Sequence, residues 1–422
     1  MKVLVIGSGG REHAIIKTLK KDERISKIYA APGNGGISLD AECVQIKAVD
    51  IPNMTGFAVQ NKIDYVVVAP DDPLVLGMVD ALNAKGIRCF GPDKESARIE
   101  GSKVFAKNLM KKYGIPTAEY ETFSDPEKAA EYLKRDNQSF PAVIKADGLA
   151  LGKGVIIAEN LTQALDAVNS IMKEKKFGDS GRSIVIEEFL TGPEVSVLAF
   201  TDGKTVVPMI SSMDHKRAFD GNTGPNTGGM GVIAPNPHYT REIAETCEKT
   251  IFLPTIRAMK EEGCPFKGCL YFGLMLTKRG PAVIEYNCRF GDPEAQAVLP
   301  LLETSLFEIM SAVTDGTLSE TYIRWKNAHC ACVILASGGY PDSYKTGFAI
   351  TGLAGAENCG AQVFHAGTEY KQAENTFYTA GGRVLGVTAL APAIENALEK
   401  AYKAVQFINF EGIHYRKDIG KY

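Results

Sequence analysis

Pro281-Ala282-Val283-Ile284-Glu285-Tyr286-Asn287-Cys288-Arg289-Phe290-Gly291-Asp292-Pro293-Glu294 begins as an apolar strand and runs out into a carboxylate, an amide and a guanidinium. Side chains two apart on a strand share a face, so Glu285 and Asn287 present two oxygen ligands together. Such a pair suits Mg²⁺, which takes few protein ligands and fills its octahedron with phosphates and water. Arg289 extends the alternation and sets a permanent cation beside the metal position, where a transferred phosphoryl group needs its charge neutralised. A strand ending in a polar loop is the plain alternative, and the rest of the chain weakens it.

A chain of 422 residues exceeds one hydrophobic core, so several structural units are expected. Its 45% hydrophobic and 23% charged residues are those of a soluble globular protein. A net charge of -3 gives no general attraction to polyphosphate backbones, which argues against nucleic acid as a partner. Nine cysteines without a C-x-x-C pair argue against a disulfide framework, and Cys330 and Cys332 lack partners at zinc-ligand spacing. Reduced thiols in the cytoplasm are the expectation. Met1-Lys2-Val3-Leu4-Val5-Ile6 runs into glycines as a first strand, not as a cleavable signal, and no apolar run reaches the length needed to cross a bilayer.

The first hundred residues alternate strands, expected at 3–6, 27–30, 63–69 and 87–90, with helices, which predicts an open parallel α/β sheet. A helix over 94–113 leads onward. Strands at 141–145, 154–158 and 183–189, with a helix over 161–173, predict a small α+β lobe. Strands at 194–200, 206–210, 270–276 and 282–287, with a helix over 240–262, predict a larger, mainly antiparallel sheet. A last unit starts near 328 with a strand and ends in a helix over 392–406. The domain boundaries are expected at 1–102, 103–325 with the small lobe at about 120–192, and 326–422.

Gly7-Ser8-Gly9-Gly10-Arg11-Glu12-His13 follows a strand and opens a helix, so its backbone N–H groups form an anion site. The third glycine of G-x-G-x-x-G would fall on Glu12, and no ribose-binding acid ends the second strand, which disfavours NAD and a dehydrogenase. Gly9, Gly10 and Arg11 better suit the phosphate of a small substrate; a tight turn with a surface arginine is the plain alternative. Ala146 to Val155 joins the strand of Lys145 to another strand, making a hairpin flap and not a Walker loop. Gly148, Gly152 and Gly154, with Lys153 among them, let backbone amides close over a triphosphate, as the glycine-rich loop of protein kinases does. Lys145 reaches the phosphates as a point charge.

Ser183-Ile184-Val185-Ile186-Glu187-Glu188-Phe189-Leu190 is a strand ending in two acids, with Glu194 shortly after. A carboxylate beside a hinge accepts from ribose hydroxyls, and the backbone there pairs with an adenine edge. An acidic surface turn is the competing reading. The segment from Asp214 to Gly231 is too polar and glycine-laden for a core, and loops of this length are functional or disordered. Asn226, Thr227 and the glycine amides suit a carboxylate, with Lys216 and Arg217 nearby.

Gly9-Gly10-Arg11-Glu12-His13, Lys145-Ala146-Asp147-Gly148-Leu149-Ala150, Gly152-Lys153-Gly154, Asp214-His215-Lys216-Arg217, Gly224-Pro225-Asn226-Thr227-Gly228-Gly229-Met230-Gly231 and Asn287-Cys288-Arg289-Phe290-Gly291-Asp292-Pro293-Glu294 together resemble the phosphoribosylamine–glycine ligases, the glycinamide ribonucleotide synthetases of the ATP-grasp superfamily. The resemblance runs to Arg416-Lys417-Asp418-Ile419-Gly420. It implies an N-terminal pre-ATP-grasp α/β domain, a central two-lobed ATP-grasp domain and a small C-terminal α/β domain. It also implies a carbon–nitrogen ligase of de novo purine synthesis, consuming ATP, glycine and 5-phosphoribosylamine through glycyl phosphate. Another ATP-grasp carboxylate–amine ligase, or a carboxylase-like enzyme, is the alternative.

By the family pattern Glu285 and Asn287 bind Mg²⁺ or Mn²⁺, and Lys103 and Lys145 contact the ATP phosphates along with Gly148, Gly152, Lys153 and Gly154. Glu187, Glu188, Phe189 and Leu190 meet adenine, and Glu194 takes the ribose. Gly9, Gly10, Arg11, Asp214, Lys216, Asn226, Thr227, Gly228 and Arg289 bind the other substrates, and Lys145 and Arg289 are catalytic. The resemblance further implies a single-activity enzyme, the chain ending where the fused units of animal members begin. A cytoplasmic monomer with no nucleic acid or membrane partner is the expectation. Asp71 stands where the family usually carries glutamate, and Leu151 replaces a small flap residue.

Overall fold

The computed structural model describes residues 1–135, 139–149 and 154–421. The opening run Lys2–Gly7 is the central strand of a five-stranded parallel sheet. Lys27–Pro32 and Glu42–Cys43 lie on one side of it, Tyr65–Val68 and Arg88–Phe90 on the other. Leu4 and Ile6 enter one core and Val3 and Val5 another, so both faces are covered and the strand is apolar throughout. Strand order reverses beside Gly7, and a parallel sheet opens a crevice at the carboxyl ends of its strands at such a point.

The single helix expected over 94–113 is two, Lys94–Gly101 and Lys103–Tyr113. Ser102 stands extended between them, and its hydroxyl accepts the N–H of Phe105 at 3.1 Å. That cap favours a fresh helix start over continuation. Lys103 and Lys107, in the first turns of the second helix, line the central cleft.

The small lobe is an antiparallel sheet in the order Tyr120–Phe123, Ile184–Glu188, Ala142–Ala146, Val155–Ala158. Helices Pro126–Leu133 and Leu161–Val168 close a core of its own with Ile144, Ile171 and Ile186. The larger lobe pairs Glu194–Asp202, Lys267–Thr277 and Gly280–Asn287, with Val206–Pro208 at the edge. Gly273 faces Glu285 but Leu274 faces Val283, leaving Ile284 as an extra residue. Unbroken alternation would put Glu285 on the face of Val283, which is core. The bulge turns Ile284, Glu285 and Asn287 to the cleft instead, while Tyr286 and Cys288 pack inward.

The C-terminal sheet runs Met213–Asp214, Gly231–Ala234, His329–Ala336, Arg383–Ala391, Gln362–His365, antiparallel throughout. Its first two strands lie inside the span 103–325, because Val232, Ile233 and Ala234 are fully buried by pairing with His329–Ala336. The segment 214–231, expected as a long loop, is largely a hairpin of Arg217–Phe219 with Thr223–Asn226, its ends woven into this sheet. Helix Ile394–Val405 covers one face. Among the described residues no helix is long and apolar enough to cross a membrane.

Candidate active site

A cleft of about 420 Å³ lies where the units meet, lined by Arg11 and Asp71, Lys103, Lys145, Glu285, Asn287 and Arg289. Gly148 and Gly154 reach it from the small lobe. Gly152 and Lys153, together with Leu151, lie outside the described residues. A second cavity of about 220 Å³ shares Lys145, Glu187 and Glu285 with the first and continues between the lobes. Glu188, Phe189, Leu190 and Glu194 line it opposite Val143, Ile157 and Leu274, so apolar walls meet a polar hinge, as a flat heteroaromatic ring requires.

The two acids at 187 and 188 diverge, as neighbours on a strand must. Glu188 turns outward and takes Arg279 at 2.7 Å through both oxygens. Glu187 is buried and accepts from two ammonium groups, Lys145 at 2.9 Å and Lys107 at 3.2 Å. Its Oε1 has no hydrogen-bond partner among the described residues. The acidic pair expected at the hinge is therefore one hinge acid and one inward counter-charge. Lys145 also donates to Ile284 O at 3.1 Å, and Lys107 to Thr117 Oγ1 at 2.8 Å. Burial pushes the Lys107 pKa down to about 8 against the pull of Glu187. Lys103 donates to Gly148 O at 2.8 Å, tying its helix to the flap.

Burial alone would raise the pKa of Glu285, but Lys216, Lys145, Lys103 and Arg289 hold it below the usual value. Asn287 Oδ1 accepts from Arg289 Nη2 at 3.0 Å. Arg289 is itself gripped by Glu100 at 3.1 Å and lies 3.9 Å from Asp71. Glu100 in turn accepts the N–H of Cys288 at 2.6 Å, so one buried carboxylate fixes both the strand end and the guanidinium. No cluster of three acidic, histidine or cysteine side chains able to hold a metal is found among the described residues. One carboxylate and one amide oxygen still fit Mg²⁺ or Mn²⁺, which complete their shell with phosphate and water.

Asp214 is walled in beside Lys216, whose Nζ is 3.5 Å away, and Asp214 Oδ1 has no partner among the described residues. Burial pushes its pKa up to about 7, with Lys216 pulling down and Glu294 pushing up. Thr227 Oγ1 donates to Lys216 O at 2.8 Å, which sets Thr227 and Gly228 at the cleft, while Asn226 lines the second cavity. Gly229 has φ +112, and a Cβ there would fall 2.5 Å from Asp214 Oδ1. Only glycine fits.

The first turn differs from the open anion site expected of it. Glu12, at the position of the missing third glycine, accepts the N–H of Gly9 at 2.6 Å and pairs with Arg11 Nε at 2.7 Å. Arg11 is buried, not a surface side chain, and also donates to Phe290 O at 3.0 Å. Ser8 and Gly9 instead form one wall of a cavity of about 400 Å³ whose other walls are Asn34, Asp292, Tyr340, Gly367, Thr368 and Arg383. Arg383 donates to Gly228 O at 2.5 Å and Asp292 O at 2.8 Å, linking this cavity to the main cleft. Sequence reasoning missed Lys107, Glu100, Tyr340 and Arg383. The one usable signal was the spacing of Lys107 four residues after Lys103 on a helix.

Profiles of the phosphoribosylglycinamide synthetase N domain, ATP-grasp (A) domain and C domain match residues 1–100, 101–295 and 330–422. The phosphoribosylamine–glycine ligase of Caldanaerobacter subterraneus subsp. tengcongensis is 49% identical over 419 residues, covering 99% of both chains. The trifunctional purine biosynthetic protein adenosine-3 of Homo sapiens is 46% identical over 424 residues, 99% of this chain and 42% of its own length. The crystal structure of the phosphoribosylamine–glycine ligase of Thermotoga maritima superposes with a TM-score of 0.84 at 33% identity, covering 99% of this chain and 100% of that one. A biotin carboxylase domain from Hydrogenobacter thermophilus, at 17% identity and a TM-score of 0.74 over 98% of this chain and 91% of that one, shares the fold. Three successive domain matches in order, carried by near-half identity along the whole length, show that the chain belongs to the phosphoribosylglycinamide synthetase family.

Proposed function

We propose that this chain joins glycine to 5-phospho-D-ribosylamine at the expense of ATP, giving N1-(5-phosphoribosyl)glycinamide, ADP and phosphate in the second step of de novo purine synthesis. The supporting observation is the set of cations, Lys103, Lys145, Lys216 and Arg289, around half-buried Glu285 and beside an apolar recess. Glycine's carboxylate is a poor electrophile. One of its oxygens attacks the terminal phosphorus of ATP, the bond to ADP breaks, and glycyl phosphate forms. Two anions must meet for this, and Lys103, Lys145 and Arg289 neutralise them. Glu285 and Asn287 would hold Mg²⁺ or Mn²⁺, which supplies further neutralisation of the phosphates. The amine of phosphoribosylamine then attacks the acyl carbon, phosphate leaves with the bonding pair, and the proton that the nitrogen sheds passes to the departing phosphate. No side-chain nucleophile is needed.

In this reading the hinge from Glu187 to Leu190 meets adenine and Glu194 the ribose. Lys216, Asn226, Thr227 and Gly228 hold the carboxyl end of glycine, and Asp214 faces its ammonium group. Gly9, Gly10 and Arg11, with Tyr340, Thr368 and Arg383 opposite, receive the sugar phosphate. The small lobe, carrying Gly148 and Gly154, keeps water from the acyl phosphate.

A carboxylate whose pKa stands at about 7 is protonated below that pH and cannot pair with ammonium. The kcat/KM for glycine should therefore rise about tenfold per unit as pH climbs toward 7 and level off above it. In Asp214→Asn the profile should be low and flat through that window. The reading as a whole is tested by ADP release that requires both glycine and phosphoribosylamine. Release driven by bicarbonate would mark a carboxylase-like enzyme, and release with a different amine another ligase.

A further inference from the structure

His13 lines none of the cavities above, yet it is buried and engaged through both ring nitrogens. Nδ1 accepts the backbone N–H of His365 at 2.8 Å, so neutral His13 carries its proton on Nε2 and donates it to Asp40 Oδ2 at 3.0 Å. Burial, aided by Lys17, lowers the His13 pKa against the pull of Asp40, which preserves that neutral form. His365 ends the edge strand Gln362–His365, whose other side is paired with Arg383–Ala391. A buried N–H on the outer side of such an edge needs an acceptor from elsewhere, and His13 supplies it.

The residues that follow, Ala366, Gly367 and Thr368, wall the cavity opposite Ser8 and Gly9. Neighbouring bonds close the same junction. The Asn34 amide donates to Ser8 O at 2.8 Å and His365 O at 2.9 Å, and Gly35 N–H donates to Thr368 O at 2.8 Å. At Gly36 a Cβ would stand 2.2 Å from His365 Cγ. The two domains are in contact with no slack here.

We infer that His13 is a positioning residue for the sugar-phosphate substrate: by holding the N–H of His365 it fixes Ala366, Gly367 and Thr368 across the Ser8–Gly9 turn and sets the width of the cavity. The inference rests on the proposed function of that cavity. A displacement of about 1 Å in such a wall costs up to about 100-fold in rate.

Three variants of the full chain test it. His13→Asn keeps an acceptor where Nδ1 lies, His13→Gln keeps a donor where Nε2 lies, and His13→Leu keeps neither. KM for phosphoribosylamine should rise at least about tenfold in the Gln and Leu variants and recover to within about threefold of wild type in the Asn variant. KM for ATP and for glycine should stay unchanged. Equal behaviour of Asn and Gln, a parallel rise of all three KM values, or a loss confined to kcat overturns the positioning role. If the Leu variant does not fold, the contrast between Asn and Gln decides. Ribose 5-phosphate, used as a competitor of phosphoribosylamine in the wild-type protein, separates the two layers of the argument. Failure to compete sinks the cavity assignment itself, whereas competition with unaffected His13 variants sinks only the role of His13.

Discussion

Glu285→Ala should lower kcat for ADP formation by about three orders of magnitude, with Asn287→Ala showing a smaller loss of about two. Lys216, Lys145, Lys103 and Arg289 all act to hold the Glu285 pKa down, so its removal takes one negative charge from among them and, under the proposed mechanism, an oxygen that would hold the metal. The alanine variant should therefore also melt lower than wild type, since the favourable interaction of the carboxylate with the surrounding cations is lost. The sign with pH follows from the depressed folded pKa. The stabilisation is present above the ordinary glutamate value and lost as pH falls through the lower folded value, so the gap between wild type and variant should close in acid. Amide product formed at an undiminished rate by the double variant Glu285→Ala with Asn287→Ala would end the proposed mechanism. Glu285→Gln separates the two effects, because it keeps the shape of the side chain and removes its charge.

Glu187→Gln is expected to be comparably severe, for a different reason. Two buried ammonium groups, Lys107 and Lys145, share Glu187 Oε2, and neither has another carboxylate within ion-pair distance among the described residues. Removing that charge should destabilise the small lobe by about 3–5 kcal/mol in urea unfolding. It should also raise KM for ATP, because among the described residues Lys145 keeps only Ile284 O as a hydrogen-bond partner to hold it in place. Burial has already brought the Lys107 pKa down to about 8 against the raising effect of Glu187, so the variant's lysine should shed its proton nearer neutrality. A neutral amine is less costly to bury. The stability gap should accordingly narrow as pH rises, the opposite of the trend at Glu285. Adding Lys107→Met to Glu187→Gln should restore part of the stability without restoring the KM for ATP. If the double variant recovers both, Glu187 serves packing alone.

The local part of this site was legible because strand periodicity and glycine placement are local. Lys145 at the end of its strand, the flap beginning at Gly148, and the oxygen pair Glu285 and Asn287 could all be named before any contact was known. Even so, simple alternation would have put Glu285 on the core face with Val283. The bulge at Ile284 that aims it at the cleft depends on the register with Gly273 and Leu274, a neighbouring strand. Lys107 stands four residues after Lys103 and so shares its helix face, but the sequence around it does not show that Glu187 lies across the interface. Glu100 and Arg289 are far apart in the chain, and their pairing is a product of packing.

The same division applies to the architecture. Runs of apolar residues, buried on both faces in the N-terminal sheet, determine strands wherever they occur, and the resemblance of the glycine-rich strings determined the order of the domains. Composition and pattern could not show that Gly231–Ala234 would leave the central region and pair with His329–Ala336, or that Tyr340 and Arg383 would come back to the glycine-rich turns. Backbone conformation follows from each residue's own sterics and its near neighbours, which the sequence states directly. The choice of which buried charge meets which counter-charge is made only when distant segments exclude water together, and only the tertiary structure decided it.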